Sequence, residues 1–156
     1  MKRVLISPFA QNLRNGAENP KNYPYWDELL ALINKEQIKI TQIGSSKDKQ
    51  LPFVDSFLVN EKFLNIKNLI KEHDTWISVD SFIQHLNHYY DKKPGIVIWS
   101  QSDPKIFGYD ENVNILKHRK YLREKQFWLW EQCQYNKEAY VNPTVVHTAL
   151  LKLLNL

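Results

Sequence analysis

The segment 80–85, Asp-Ser-Phe-Ile-Gln-His, carries residue types suited to holding an anionic ligand. Asp80 and Ser81 lie where a predicted strand passes into a predicted helix. The first amides of a helix have no intrahelical acceptor, and together with the helix dipole they favour a phosphate or diphosphate. Gln84 lies four residues after Asp80, so the two side chains share one helix face. The alternative is that Asp80 or Ser81 simply caps the helix and that His85 packs in the core.

A second polar loop, formed by Ser100, Gln101 and Ser102, follows the apolar run 95–99. Its hydroxyl and amide groups could contact a phosphate or a sugar. Because the run before it is apolar throughout, it predicts a strand buried on both faces of a parallel sheet. The loop should then lie beside segment 80–85 at one sheet edge, although its composition also fits a simple turn.

A third loop, formed by Gly44, Ser45 and Ser46, follows the predicted strand 37–43. Small residues at this place let the backbone approach a ribose or a base. The glycine spacings of a Rossmann fingerprint and of a P-loop are both absent. The loop therefore indicates a binding edge only in combination with the other two.

The elements that must position these loops alternate between strand and helix. This alternation favours right-handed βαβ units, and so an α/β fold with a Rossmann-like parallel sheet and helices on both faces. Ligands bind such sheets at the carboxyl ends of the strands. Apolar runs predict strands at 4–6, 37–43, 54–59, 75–79 and 95–99, and apolar spacing predicts helices near 26–33, 63–70 and 81–90, with closing helices at about 120–134 and 143–154.

Composition predicts one folded domain over residues 1–156, since 43% of the residues are hydrophobic. Cys133 is the single cysteine, which excludes an intramolecular disulfide, and no zinc-binding spacing is present, so no metal or cofactor is predicted. No apolar run is long enough to span a membrane, and the first apolar run is too short for a signal peptide. We expect a cytoplasmic protein. The aromatic run 127–130 is predicted to pack in the core with Cys133.

Read in chain order, several segments resemble glycosyltransferase family 9, the heptosyltransferase-like family. The strand leading into Asp-Ser-x-x-x-His and the buried strand leading into a Ser-x-Ser-x-Pro loop resemble motifs of its C-terminal half. The similarity extends over roughly residues 2–116. It implies one half of a glycosyltransferase-B fold, the half that binds the nucleotide-sugar donor. The segments that carry the resemblance are residues 19–26, 43–46, 74–86, 93–104 and 107–109.

The resemblance also implies roles for individual residues. Lys21 would contact the donor phosphates or ribose, Asp80 and Ser81 would hold the diphosphate and sugar, and His85 would support their loop. Phe82 and Ser100 stand where the family has glycines, and the bulk of Phe82 would hinder close approach of a diphosphate. The predicted donor- and phosphate-binding residues are Lys21, Asp80, Ser81, Phe82, Gln84, His85, Ser100, Gln101 and Ser102, with Gly44, Ser45 and Ser46 near the ribose and base.

Three functions remain open at this point. The chain binds a nucleotide or nucleotide-sugar and transfers the sugar, in which case a partner chain must supply the acceptor site and the catalytic base. Alternatively, it is a non-catalytic nucleotide-binding or protein-interaction module, and a homo-oligomer is then equally compatible with the sequence. Nucleic-acid binding through the basic run 117–125 is the least favoured function, because such runs usually form solvated surfaces.

Overall fold

A computed structural model describes residues 1–156 and contains a six-stranded sheet in which all strands are parallel. The strand order is β3-β2-β1-β4-β5-β6, the order of a dinucleotide-binding Rossmann sheet. The strands are β1 (Lys2–Ser7), β2 (Ile38–Gly44), β3 (Ser56–Val59), β4 (Thr75–Val79), β5 (Ile96–Ile98) and β6 (Val113–Ile115); the helices are α1 (Trp26–Ala31), α2 (Phe63–Glu72), α3 (Phe82–Tyr90), α4 (Pro104–Phe107) and α5 (Pro143–Leu154).

Helices cover both faces of the sheet, as the sequence predicts. Successive side chains of a strand point to opposite faces, and β1 shows this directly. Val4 and Ile6 join the larger apolar core, which also contains side chains of α1 and α5. Leu5 joins a second core with side chains of α2 and α3. The fold class is therefore confirmed: a Rossmann-like α/β sheet packed between two helical layers.

Segment 120–134 is not a helix, so this prediction is wrong. It contains only short 3₁₀ turns, at Arg119–Tyr121 and Trp130–Gln132, with extended backbone at Leu122 and Leu129. Contacts with the loop after β5 replace helical hydrogen bonds. The Arg123 amide donates to the Gln101 carbonyl oxygen (3.0 Å), and the Gln126 side-chain amide donates to the same oxygen (2.9 Å). The second closing helix is confirmed as α5.

The aromatic run 127–130 also lies elsewhere than predicted. Phe127 is 82% exposed, and Trp128 and Leu129 are 50% and 46% exposed, so these three side chains are not in the core. Cys133 is partly buried and its thiol contacts the Gln101 side-chain oxygen at 3.2 Å. Burial raises the pKa of this thiol above its ordinary value, which disfavours the thiolate form.

None of the helices has the length and apolar character needed to cross a bilayer.

Candidate functional site

The candidate site lies at the carboxyl ends of β1 and β4, the two central strands. Ser7 of β1 pairs in register with Ser78 of β4, so the loops that follow leave the sheet side by side. The chain continues from β1 to β2 on one side and reaches β4 on the other. The boundary between β1 and β4 is thus the topological switch point, where open α/β sheets form their binding crevice.

Helix α3 begins at this crevice without a side-chain cap. Ser81 occupies the cap position with extended backbone, and no side chain accepts from the first-turn amides. The Ser81 hydroxyl oxygen is buried and has no partner. The capping alternative for Asp80 and Ser81 is therefore wrong, and the first-turn amides remain available to an external acceptor.

The Asp80 carboxylate instead joins two polar side chains. One oxygen accepts from the Gln84 side-chain amide at 2.8 Å, and the other lies 3.1 Å from the Lys21 ammonium. Asp80 and Lys21 are mostly buried, with side chains 10% and 21% exposed. Gln84 is completely buried beneath this pair, so it positions Asp80 rather than facing the crevice. Sequence spacing alone predicted only that Asp80 and Gln84 share a helix face.

A cleft of about 910 Å³ opens over the ends of β1, β2 and β4. The structure brings seven of the predicted site residues together along its wall. Arg14 and Asp48 also line it, and neither was among the predicted site residues: Arg14 lies in a loop without a motif, and Asp48 ends the small-residue loop after β2. The seven predicted residues are Lys21, Gly44, Ser45, Ser46, Asp80, Ser81 and Phe82.

The loop after β2 is held by one of its own side chains and by one that follows β3. Asp48 accepts from the Ser45 amide at 2.7 Å, and the Asn60 side-chain oxygen accepts from the Ser46 amide at 3.1 Å. A Cβ atom on Gly44 would lie 2.6 Å from the Asp48 carboxylate. The glycine is therefore required for this internal contact. Its predicted part in approaching a ribose stays a prediction.

Phe82 lies at the rim of the cleft. Its ring is 40% exposed and stacks on the ring of Phe63, with 5.6 Å between the ring centroids. This aromatic pair forms an apolar part of the cleft wall. The predicted obstruction of a diphosphate by Phe82 stays a prediction.

Of the predicted site residues in the loop after β5, only Ser102 lines a cavity, whereas Gln101 holds the irregular segment in place. Ser100 and Gln101 are buried and line neither cavity of the site. Gln101 binds the irregular segment, because its side-chain amide donates to the Gln134 carbonyl oxygen at 3.0 Å. Ser102 lines a smaller cavity of about 250 Å³ that lies next to the cleft and shares Lys21 and Asp80 with it.

His85 lies on the surface, and its predicted support of the loop before α3 stays a prediction. Its Nδ1 atom lies 2.8 Å from the Tyr109 hydroxyl group, so the alternative of a core histidine is wrong. His88 stacks on the same tyrosine and lies 2.5 Å from a carboxylate oxygen of Glu111. Burial would raise the pKa of Glu111, but the hydrogen bond with His88 lowers it below its ordinary value.

Arg123 and Trp130 complete the site and were not predicted from sequence. The Arg123 guanidinium carbon lies 3.6 Å from the centre of the Trp130 ring, and the Lys21 ammonium lies 5.0 Å from it. Burial lowers the pKa of Arg123, whereas Cys133 and Asp80 act in the opposite direction. These contacts depend on the irregular path of segment 119–139, which no periodic pattern indicates.

The architecture defines a Rossmann-like α/β protein with a cleft at its switch point, and solved structures of that kind match it. No protein-family model and no curated protein matches the chain. Escherichia coli heptosyltransferase WaaC with ADP superposes with a TM-score of 0.65 at 14% identity, over 97% of this chain and 44% of the heptosyltransferase. A family 9 glycosyltransferase from Veillonella parvula superposes with a TM-score of 0.70 at 13% identity, over 99% of this chain and 46% of the glycosyltransferase.

These matches establish the fold. The chain resembles one half of a glycosyltransferase of family 9, and it spans less than half the length of both solved structures.

Proposed function

We propose that the cleft binds a nucleotide diphosphate, either free or as part of a nucleotide-sugar. One observation carries this proposal: the uncapped start of α3 and the Lys21 ammonium open into the same cleft at the switch point of the sheet. Helix amides and a neighbouring cation are a common combination for binding phosphate. The presence of ADP in the similar Escherichia coli protein supports the same ligand class.

Diphosphate binding would redistribute the contacts of Lys21. Its ammonium now lies 3.1 Å from the Asp80 carboxylate. A diphosphate bound at the start of α3 would accept a hydrogen bond from the same ammonium. The first-turn amides would bind the remaining phosphate oxygens. If a sugar is transferred, the same groups stabilise the charge on the departing diphosphate without a metal ion.

Replacing Lys21 with alanine tests the assignment. We expect Lys21→Ala to weaken binding of the tightest nucleotide among ADP, UDP and GDP by about tenfold or more, because a charge-assisted contact is lost. Isothermal titration calorimetry measures the affinity, and thermal stabilisation at millimolar nucleotide provides a first screen.

Lys35→Ala is the matched control. Lys35 also pairs with a carboxylate, Asp55 at 2.7 Å, but it lies outside the cleft. We expect this control to retain the affinity of the unsubstituted protein. Failure of all three nucleotides to bind, or equal losses in the two variants, would contradict the proposal.

Measuring the release of nucleoside diphosphate distinguishes sugar transfer from simple binding. With a nucleotide-sugar and candidate acceptors present, a transferase releases nucleoside diphosphate, whereas a binding module does not. The exposed run Phe127 to Leu129 favours keeping the second candidate, a protein-interaction module, because large apolar side chains on a surface often mark contact sites. If sugar transfer proceeds only after a partner chain is added, the protein acts both as a transferase and as a protein-interaction module.

A further inference from the structure

A tight turn in the irregular segment presents large apolar side chains to solvent. The Trp128 amide donates to the Lys125 carbonyl oxygen at 3.2 Å, which closes a four-residue β-turn. Phe127, Trp128 and the following Leu129 are all exposed. The Phe127 ring also contacts the ring of Phe107 in α4, with 5.3 Å between the ring centroids. These four side chains form one surface, which we call the apolar patch.

Arg123 holds the turn in this outward conformation. One of its terminal nitrogens donates to the carbonyl oxygens of Gln126 and Trp128, both at 2.9 Å, and its guanidinium group stacks on Trp130. Side chains that are already ordered lose little conformational freedom when a partner covers them. The chain thus keeps Phe127 and Trp128 in contact with water in a fixed arrangement, which is typical of a surface that binds another molecule.

Two exposed side chains of opposite charge, Glu124 and Lys125, lie beside the apolar patch. Neither forms an ion pair within the chain. Lys125 begins the turn, and its ammonium lies 5.2 Å from the centre of the Trp128 ring, so this charge borders the patch directly. Opposite charges beside one apolar surface make that surface complementary to a copy of itself across a two-fold axis.

The other cations of the basic run 117–125 are largely engaged, which disfavours a polyanionic partner. Both terminal nitrogens of Arg119 donate to the Asp103 carboxylate. The Lys117 ammonium donates to the Glu138 carbonyl oxygen at 2.7 Å. Nucleic acids are bound mainly by cations that are free to contact phosphates. A protein surface is therefore the better partner for the apolar patch.

We propose that the apolar patch is the contact between two copies of this chain related by a two-fold axis. Phe127 and Trp128 pack on the same side chains of the second copy, and each Glu124 meets Lys125 of the second copy. The patch is small beside the roughly 20–30 residues that each partner contributes to a standard interface, so we expect a weak dimer. The inference names a partner for the interaction-module candidate and does not depend on nucleotide binding.

Sedimentation velocity at micromolar to near-millimolar concentrations measures this association. We expect a dissociation constant in the micromolar range. Phe127→Asp should weaken dimerisation by about tenfold or more, because a carboxylate would enter the apolar centre of the contact. Leu64→Asp is the matched control, since it places the same carboxylate at another apolar position, 67% exposed and in α2. This control should dimerise as the unsubstituted chain does.

Charge reversal tests the two-fold arrangement. Glu124→Lys and Lys125→Glu should each weaken dimerisation by about three- to tenfold, because like charges then face each other across the contact. The double variant Glu124→Lys/Lys125→Glu should regain the original affinity, since every pair again joins opposite charges. A mixture of the two single variants should associate as a mixed dimer for the same reason.

Three results would overturn the inference. The first is a chain that stays monomeric at every concentration. The second is dimerisation that survives in Phe127→Asp, because the interface then lies elsewhere, and the third is a loss from charge reversal that the double variant does not recover. A monomer that binds a single-stranded oligonucleotide or phosphatidylglycerol vesicles through Phe127 would assign the patch to that partner instead. Nucleotide affinity is measured separately, so the proposed function stands or fails independently.

Discussion

At the scale of single residues, Asp103 shows how one carboxylate can fix two loops. It caps α4 by accepting from the Lys105 amide at 2.9 Å, and it accepts from both terminal nitrogens of Arg119, at 2.9 and 2.6 Å. The hydrogen bonds from Arg119 hold the pKa of Asp103 below its ordinary value of 3.8. Asp103 thereby ties the loop after β5 to the start of the irregular segment 119–139.

This lowered pKa predicts a loss of stability in acid. In the range between the folded and unfolded pKa values, the unfolded chain binds a proton that the folded chain does not, so acid favours unfolding. We expect the free energy of unfolding to fall as the pH drops toward 3.8 and further below it. Asp103→Asn should keep the cap but show a shallower fall, measured by urea denaturation at several pH values.

The control for this measurement is Asp110→Asn, which removes an exposed carboxylate that makes no ion pair. It should leave the pH dependence unchanged. A slope in Asp103→Asn as steep as in the unsubstituted protein would show that other carboxylates cause the acid effect.

At the scale of elements, Arg123 organises the segment that replaces the expected helix. Its guanidinium group bonds two backbone carbonyl oxygens and stacks on Trp130. We expect Arg123→Ala to increase amide hydrogen exchange across 122–130 and to lower the free energy of unfolding by about 1–2 kcal/mol, because hydrogen bonds and packing are lost together. Mass spectrometry locates the exchange.

Lys125→Ala provides the comparison within the same segment. The Lys125 side chain approaches the exposed ring of Trp128, at 5.2 Å, and bonds no backbone group. Exchange should remain slow in this variant. Equally fast exchange in both would mean that removing any cation loosens the segment, and the specific role of Arg123 would be rejected.

The elements also show what sequence patterns can predict. Buried central strands such as β4 are rich in β-branched and aromatic residues, and α5 begins with Pro143 after the capping residue Asn142, so local signals locate both. β6 was missed because it has three residues and only Ile115 is buried. Segment 120–134 contains good helix formers, but its backbone donates a hydrogen bond to the loop that contains Gln101. A local sequence pattern cannot predict a contact between residues so far apart in the chain.

The same distinction applies to the site. Asp80 and Ser81 could be predicted because they follow a strand end, and strand ends in a parallel sheet meet at one edge. Lys21 was predicted only from the family resemblance. Asn60 follows β3 and reaches the loop after β2 only because β3 pairs with β2. Trp130 reaches Lys21 only through the irregular segment. Residues placed by regular elements were thus predictable, and residues placed by tertiary contacts were not.

At the scale of the whole molecule, one sheet carries two separate cores. Leu29 of α1 and Ile70 of α2 are both fully or almost fully buried, but they lie on opposite faces. We expect Leu29→Ala and Ile70→Ala each to lower the free energy of unfolding by about 2–5 kcal/mol, with a single shared transition, because both cores need the same central strands. Urea denaturation followed by circular dichroism and tryptophan fluorescence tests this.

Leu64→Ala, on the exposed side of α2 and 67% exposed, should change stability little. Transitions that separate between the two optical probes in either core variant would show that the two faces unfold independently.

The position of β1 in the middle of the sheet has a consequence for synthesis on the ribosome. Val4 pairs with Ile40 on one side and with Thr75 on the other, so β1 emerges before both of its neighbours and waits longer for β4 than for β2. Its apolar face is covered only when α5, with Val146 and Leu150, has also emerged. Until then Val4 and Ile6 remain accessible to other nascent chains and to chaperones, and slower translation would lengthen that exposure.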